Sequence, residues 1–241
     1  HPRAILSCLA VPLLVSGCSW FGDKDEEVIK PAALTRISSE VDLRSLWAVR
    51  VGAGADDKAI KLEPAIKNGR VFAASADGTV LALQGSSGQK IWSQDVREIY
   101  TEAERNHAFA KDIDVITGGV GIGDDIVLVG TAAGEVLALR QSDGSLAWRA
   151  AVSSEVLAPP QVLNQLAVAQ SIDGTLVGLD AFTGEKRWSY TTTLPALTLR
   201  GTSTPILRDD VVVAGFANGR VALIDPERGI AAVDERVAAA K

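Results

Sequence analysis

Few side chains in this sequence suit nucleophilic, redox or metal chemistry. The two histidines are His1 and His107, and the two cysteines are Cys8 and Cys18. His107 has no neighbouring Cys or second His, so it is a poor start for a metal site. No serine stands in a recognisable grouping with a base. The sequence therefore predicts neither a catalytic nor a metal site, and the reactive side chain with an informative context is Cys18.

Cys18 ends an N-terminal segment that has the order of a secretory signal. Arg3 precedes an apolar run over residues 4–15, and Ser16 and Gly17 follow the run. The run is too short to span a bilayer as a helix. Residues 15–18 resemble the lipobox of bacterial lipoproteins, whose cysteine is acylated and becomes the N-terminus. Because Cys8 lies in the segment to be removed, lipidation of Cys18 is favoured over a disulfide.

These features predict a signal peptide over residues 1–17, a lipidated cysteine with a polar tether over residues 18–40, and a folded part over residues 41–241. Acyl chains would anchor the protein stably to a membrane. The lipobox resemblance places Ser19, rather than an Asp, at the sorting position. We therefore expect a lipid anchor in the outer membrane, with the fold on the periplasmic face.

The charge of the chain excludes one class of partner. The net charge of −6 becomes −7 once Arg3 is removed with the signal peptide. Nucleic-acid binding needs a basic footprint, which an acidic chain lacks. We therefore expect no nucleic-acid partner.

An internal repeat organises the rest of the chain. Each unit opens with a turn glycine, continues as an alternating apolar strand, turns again at a second glycine and closes near a tryptophan. The four units cover residues 77–92, 133–148, 173–188 and 218–233. Their first glycines, separated by 56, 40 and 45 residues, are Gly78, Gly134, Gly174 and Gly219.

The repeat predicts an all-β fold. Two further short apolar strands precede each first glycine, one of them opening near Pro64, Gly119, Pro160 or Pro205, which makes four strands per unit. Four-stranded units of this length are typical of β-propeller blades, here ending near residues 92, 148, 188 and 233. The glycines are predicted to form turns and the tryptophans to pack between blades as structural residues. The tryptophans are Trp92, Trp148 and Trp188, with Trp47 ahead of the first unit, where an N-terminal strand could complete the last blade.

The unit resembles the repeat of pyrroloquinoline-quinone enzymes and their non-catalytic relatives. Together with the lipobox and residues 194–201, Leu-Pro-Ala-Leu-Thr-Leu-Arg-Gly, it resembles the propeller lipoproteins of the outer-membrane β-barrel assembly machinery, from the signal peptide to about Val221. Propellers of that family have eight blades, whereas about four are encoded here. The alanine-rich stretch 230–241 lacks a closing tryptophan, so we expect a truncated or frame-shifted product with an unpaired blade face.

The resemblance also implies a function. It implies a non-catalytic scaffold, without a cofactor, that docks on the barrel-forming subunit of the machinery and assists unfolded outer-membrane protein clients. The matching partner-binding residues are Leu197, Leu199 and Arg200, in the loop after Trp188. Apolar side chains beside a guanidinium suit a protein contact. The alternative is that both leucines fill the blade core and that Arg200 is merely solvated.

Three other interpretations remain open at this level. A quinone-dependent dehydrogenase would need converging calcium ligands and often a vicinal cysteine pair, and the part after the signal peptide retains only Cys18. A different periplasmic binding scaffold is compatible with the fold, because propellers host many functions. Finally, the charged connection over residues 93–118 could form a second contact face or a solvated loop.

Overall fold

The computed structural model describes residues 32–35, 41–55, 58–106, 112–198 and 200–238. The chain divides into two units, residues 1–43 and 44–241. The described residues of the first unit lie in no helix or strand, and they are exposed. Cys18 lies outside the described residues. Within them, no helix is long and apolar enough to cross a bilayer.

The first two sheets each contain four antiparallel strands in chain order. Sheet one contains β1 (Ala65–Lys67), β2 (Arg70–Ala74), β3 (Thr79–Gln84) and β4 (Lys90–Asp95). A 3-10 turn (Val96–Ile99) and the short helix α1 (Glu102–Arg105) follow. Sheet two contains β5 (Ile116–Gly123), β6 (Ile126–Thr131), β7 (Glu135–Arg140) and β8 (Leu146–Ala151).

The last two sheets repeat this arrangement. Sheet three contains β9 (Gln161–Leu163), β10 (Leu166–Gln170), β11 (Thr175–Asp180) and β12 (Lys186–Thr191). Sheet four contains β13 (Ile206–Leu207), β14 (Val212–Gly215), β15 (Arg220–Ile224) and β16 (Ala231–Arg236). The predicted fold of four-stranded antiparallel blades is confirmed, and each blade ends three residues later than expected, at residue 95, 151, 191 or 236.

Glycine at the first turn of each unit has a conformational reason. Gly78 adopts a φ of +90°, a left-handed conformation that L side chains rarely adopt. The Asp77 carboxylate accepts a hydrogen bond from the backbone N–H of Thr79 at 3.1 Å, which closes the turn. The equivalent glycines of the other units have φ values of +81°, +87° and +76°.

A bulge in the outer strand pair positions each tryptophan. In the first blade Ala82 pairs with Trp92 and Leu83 pairs with Lys90, so one residue of β4 is left without a partner. The second and third blades oppose their tryptophan with a residue as small, Ala138 and Gly178. The fourth blade instead pairs Leu223 with Val233. It lacks the tryptophan but keeps the register shift at the equivalent position, between Leu223 and Ile224.

The core lies between consecutive blades. Three buried apolar clusters join sheet one to two, two to three, and three to four. At each of these seams a tryptophan of one blade lies against the second turn glycine of the next, with its indole N–H donated to the backbone carbonyl three residues before that glycine. The acceptors are Gln141 for Trp92 at 3.0 Å, Ala181 for Trp148 at 2.8 Å and Pro226 for Trp188 at 2.7 Å.

Trp47 makes the same contact without belonging to a sheet. Its indole N–H donates to the Gly85 carbonyl at 2.9 Å, and its ring lies against Gly88. The segment that follows is tied to the first blade by a 2.8 Å hydrogen bond from the Ala53 N–H to the Asp77 carboxylate. Trp47 thus occupies, at the first blade, the position that the outer-strand tryptophan of a preceding blade would fill.

One expectation about local structure was wrong. Gly119 does not open a strand but lies within β5, which starts at Ile116 and carries two register shifts. Glycines suit this strand because neighbouring backbone crowds it: a Cβ on Gly118 would lie 2.8 Å from the Val156 carbonyl oxygen. In the connection 93–118, Glu98, Glu102, Arg105 and Asp112 are exposed, as a solvated loop would have them, whereas Tyr100 is buried in the first seam.

Large apolar side chains are exposed on the first and last sheets. Ile66 of β1 is exposed in sheet one, and Ile206 and Val233 are exposed in sheet four. Each of these sheets packs through one of the three apolar clusters, whereas the two middle sheets take part in two.

Candidate protein-binding loop

The loop over residues 192–205 connects β12 to β13 and is fixed at its start. The backbone N–H of Thr192 donates to the Gly174 carbonyl at 3.1 Å. The Asn218 side-chain amide donates to the Thr192 hydroxyl at 3.0 Å and to the Thr193 carbonyl at 2.9 Å. Leu194 packs against the core between the third and fourth blades. The loop therefore leaves the sheet from a defined point.

A second set of contacts fixes the end of the loop. The Ser203 hydroxyl donates to the Gly215 carbonyl at 2.7 Å and accepts from the Gly215 N–H at 3.1 Å. Gly215 ends β14, so this pair ties the loop to the fourth blade. With both ends held, the segment between Leu194 and Ser203 projects from a rigid base, as recognition loops commonly do.

Leu197 lies at the projecting part of this loop. Leu197 is 93% exposed, whereas Leu194, three residues earlier, is partly buried and packs against the core. The interpretation in which Leu197 fills the blade core is therefore wrong. Leu199 lies outside the described residues. An isolated exposed leucine is ordinary, but one on an anchored loop beside a charged side chain suits a protein contact.

Arg200 is neither free nor merely solvated. Its guanidinium donates to a Glu155 carboxylate oxygen at 2.6 Å and to the Ala59 carbonyl oxygen at 3.3 Å. Glu155 lies in the loop before β9, and Ala59 lies in the segment before β1. Arg200 therefore joins three of the connections that enter the first strands of blades, which we call the entry rim: residues 58–64, 152–160 and 192–205.

The entry rim lines a partly open cavity of about 530 Å³, with Arg200 as part of its wall. Its walls come from all three connections of the rim. The lining residues are Ala59, Ile60, Lys61, Glu63, Leu157, Ala158, Pro159, Arg200, Gly201, Thr202 and Thr204. The Thr202 hydroxyl is buried and, among the described residues, has no hydrogen-bond partner. Arg200 therefore both lines the cavity and joins the connections on its sides through its hydrogen bonds to Ala59 and Glu155.

Two residues of this arrangement are not evident from the motif alone. Leu194 and Leu197 are the same residue type in one loop, but Leu194 lies closer to the end of β12 and so packs against the core. Glu155 precedes Arg200 by close to one blade period, and equivalent loops of neighbouring blades are adjacent in a propeller. That spacing is the signal in the sequence that could have identified Glu155.

The connection after the first blade forms a separate polar cluster. The Tyr100 hydroxyl donates to the Glu135 carboxylate at 2.6 Å, and the Arg149 guanidinium lies 5.1 Å from the centroid of the Tyr100 ring. Burial, with that hydrogen bond, raises the pKa of Tyr100. Arg149 also pairs with Glu104 of α1 and lowers the pKa of that carboxyl to about 2. These contacts hold α1 against the second blade, so the polar groups of the cluster are already used within the fold.

The described residues contain no group of three or more His, Cys, Asp or Glu side chains placed to share a metal ion. His107, which the sequence marked as a poor ligand, lies outside them. The described part of the site therefore consists of a loop anchored at both ends with Leu197 exposed between the anchors.

Comparison with known proteins decides the family. The model of the family described as outer membrane protein assembly factor BamB matches residues 40–115 and 87–241. This chain belongs to that family. The BamB of Yersinia pestis is 31% identical over 227 residues, which are 94% of this chain and 56% of that protein. The chain therefore spans a little over half the length of this curated BamB.

Solved structures agree with the family and the fold. The crystal structure of BamB from Moraxella catarrhalis matches with a TM-score of 0.63 and 31% identity, covering 74% of this chain and 50% of that one. The quinohemoprotein alcohol dehydrogenase of Comamonas testosteroni matches with a TM-score of 0.55 at 15% identity, over 74% of this chain and 35% of that one. The second likeness shows a shared fold alone, whereas the BamB relatives carry the resemblance in sequence as well.

Proposed function

We propose that this chain is a non-catalytic scaffold of outer-membrane β-barrel assembly, which docks on the barrel-forming subunit through the loop over residues 194–201. The observation that carries the proposal is the exposed Leu197 on a loop fixed at both ends. A pre-ordered apolar tip loses little conformational freedom on binding, which favours its use as an anchor. Membership of the BamB family supports the same assignment, since its members are named as outer membrane protein assembly factors.

The test is co-purification of the barrel-forming subunit with Leu197→Ala, using Phe182→Ala as the matched control. Phe182 is 63% exposed and lies in the turn before β12, whereas Leu197 lies in the loop after β12, so the two mark opposite ends of one blade. Loss of a hot-spot leucine should weaken binding at least tenfold, which corresponds to about 1.4 kcal/mol. Equal recovery of the partner by both variants would contradict the proposal.

The scaffold is proposed to be tethered by a lipidated Cys18, which lies outside the described residues. Two or more acyl chains give lasting attachment to a bilayer, whereas an unmodified thiol gives none. Metabolic labelling with palmitate should mark the wild-type chain and leave Cys18→Ser unlabelled and released from the outer-membrane fraction. A labelled Cys18→Ser protein would show that the anchor lies elsewhere.

The proposed absence of catalysis has its own test. A quinone enzyme on this fold would form a stoichiometric complex with pyrroloquinoline quinone and calcium and would reduce a dye at the expense of an alcohol. We expect neither complex nor activity. A stoichiometric complex with dye-reducing activity would replace the scaffold assignment by an enzymatic one.

Clients are proposed to be unfolded outer-membrane proteins held near the entry rim. Edge strands and anchored loops can hold extended segments through backbone hydrogen bonds. Crosslinking of an unfolded barrel protein to this chain should therefore map to strand edges or rim loops. Crosslinks confined to the tether would show that the folded part does not bind clients.

A further inference from the structure

We infer that Glu155 is a positioning residue for partner binding: it holds the Arg200 guanidinium and thereby orders the loop that presents Leu197. The inference rests on the proposed function, because it names a residue outside the loop on which the same contact depends. It assigns Arg200 an internal task, anchoring the loop across the entry rim, and leaves the apolar contact to Leu197.

The pair has the geometry of an effective clamp. The Arg200–Glu155 separation is 2.6 Å, and the Glu155 side chain is 14% exposed against 43% for Arg200. A carboxylate so shielded interacts more strongly with its partner than one on an open surface. The second hydrogen bond, to the Ala59 carbonyl, uses the other branch of the same planar guanidinium and fixes its orientation. A lysine, with one compact ammonium, could not span both acceptors in this way.

Glu155 is held rigidly by its own backbone. The Ile172 N–H donates to the Glu155 carbonyl at 2.9 Å. The next residue, Val156, is fully buried, pairs with Ser171 and donates its N–H to the Thr131 carbonyl at 3.2 Å. The carboxylate therefore projects from the seam between the second and third blades at a fixed position, where it accepts the hydrogen bond from the longer Arg200 side chain.

The Arg200–Glu155 pair anchors the middle of the loop. Its other anchors lie at Thr193 and Ser203, and the residues that carry recognition lie between them. Arg200 ties this middle part to the segments that enter the first and third blades, beside the 530 Å³ cavity that it lines. Without the tie, the segment would sample more conformations, and binding would have to order it again.

The experiment compares Glu155→Gln with Glu185→Gln, a control at an exposed turn position at the opposite end of the third blade. Glutamine keeps the size of the side chain and removes its charge, so thermal melting should confirm that both variants remain folded. Affinity for the purified barrel-forming subunit is expected to fall roughly three- to tenfold for Glu155→Gln, the range for losing one charge-assisted contact. Glu185→Gln should bind as the wild type.

Hydrogen exchange of the free protein provides a readout that needs no partner. Amides over residues 194–203 should exchange faster in Glu155→Gln and in Arg200→Ala, while the β12 and β14 amides stay protected. The charge-reversed pair Glu155→Arg with Arg200→Glu should recover part of both the protection and the affinity that each single reversal loses. Recovery in the double variant is a result that a general loss of stability does not produce.

The results that overturn the inference are distinct from those that overturn the proposed function. Wild-type affinity and wild-type exchange in Glu155→Gln, with Arg200→Ala defective in binding, would show that Arg200 contacts the partner directly. Faster exchange in Glu155→Gln with unchanged binding in both Glu155→Gln and Leu197→Ala would leave the clamp standing as a structural device and refute the docking role. Unchanged exchange in every variant would refute the clamp.

Discussion

The contact between each tryptophan and the turn glycine of the next blade can be measured by a pair of glycine substitutions. In Gly144→Ala the new Cβ would lie 2.6 Å from Cε3 and 2.9 Å from Cδ2 of the Trp92 indole, and the residue has a φ of +77°. The indole cannot retreat freely, because its N–H is bonded to the Gln141 carbonyl at 3.0 Å. Gly69→Ala provides the control, since Gly69 has a φ of +71° and nothing within 4 Å of an added Cβ.

The two variants separate backbone strain from steric overlap. A left-handed alanine costs about 1–2 kcal/mol, and both variants carry that cost. Overpacking of a tight contact costs about 1–3 kcal/mol more, and only Gly144→Ala should show it. Gly144→Ala is therefore expected to destabilise the fold by about 2–5 kcal/mol and Gly69→Ala by about 1–2 kcal/mol.

Urea unfolding followed by tryptophan fluorescence and by far-UV circular dichroism measures this difference. With an m-value of about 2 kcal/mol/M, a 2 kcal/mol gap separates the two midpoints by about 1 M. Agreement between the two signals checks that the blades unfold together, which repeat folds do not always do. Equal midpoints for the two variants would refute the tight indole–glycine contact between blades.

Two further predictions concern the first blade and the acid stability of the fold. Trp47→Ala removes the hydrogen bond to Gly85 and the packing on Gly88. If these contacts stabilise the segment by about 1.4 kcal/mol, trypsin should cleave it near the exposed Arg50 roughly tenfold faster. Unchanged cleavage would show that Trp47 does not hold this segment. The hydrogen bond from Arg187 lowers the pKa of Asp180 to about 2, below its unfolded value of about 3.9, so the stabilisation is full above about pH 4 and is lost as the pH falls through 2. The pair is solvent-screened and contributes about 1 kcal/mol or less to the free energy of unfolding. In Asp180→Asn, the free energy of unfolding measured with urea should therefore fall slightly less steeply as the pH drops below about 4. A pH dependence identical to that of the wild type would show that the pair does not contribute to it.

The blade architecture could be predicted because glycine and tryptophan have specific physical uses there. A left-handed turn such as that at Gly174 admits few residues other than glycine, so the turns mark where the strands end. The large Trp188 side chain needs a small residue opposite it, and that residue is Gly178. Both requirements are local in sequence, so the pattern reveals them.

Other features depend on contacts between distant segments. Gly119 precedes an apolar strand and was expected to open one, yet β5 starts at Ile116 because glycines let the inner strand pass close to the backbone of the third blade. The exposure of Leu197 and the partial burial of Leu194 follow from the point at which β12 ends, which is known only to within a few residues from a pattern. The Arg200–Glu155 pair spans two blades, and composition alone does not reveal it.

The most direct test of the docking surface is site-specific photo-crosslinking in cells. A photoactivatable residue at position 197 in the full chain should form an adduct with the barrel-forming subunit on irradiation, and the same residue at position 182 should form none. An adduct at both positions, or none at 197 in a folded and membrane-attached protein, would contradict the central claim that the loop after the third blade is the docking site.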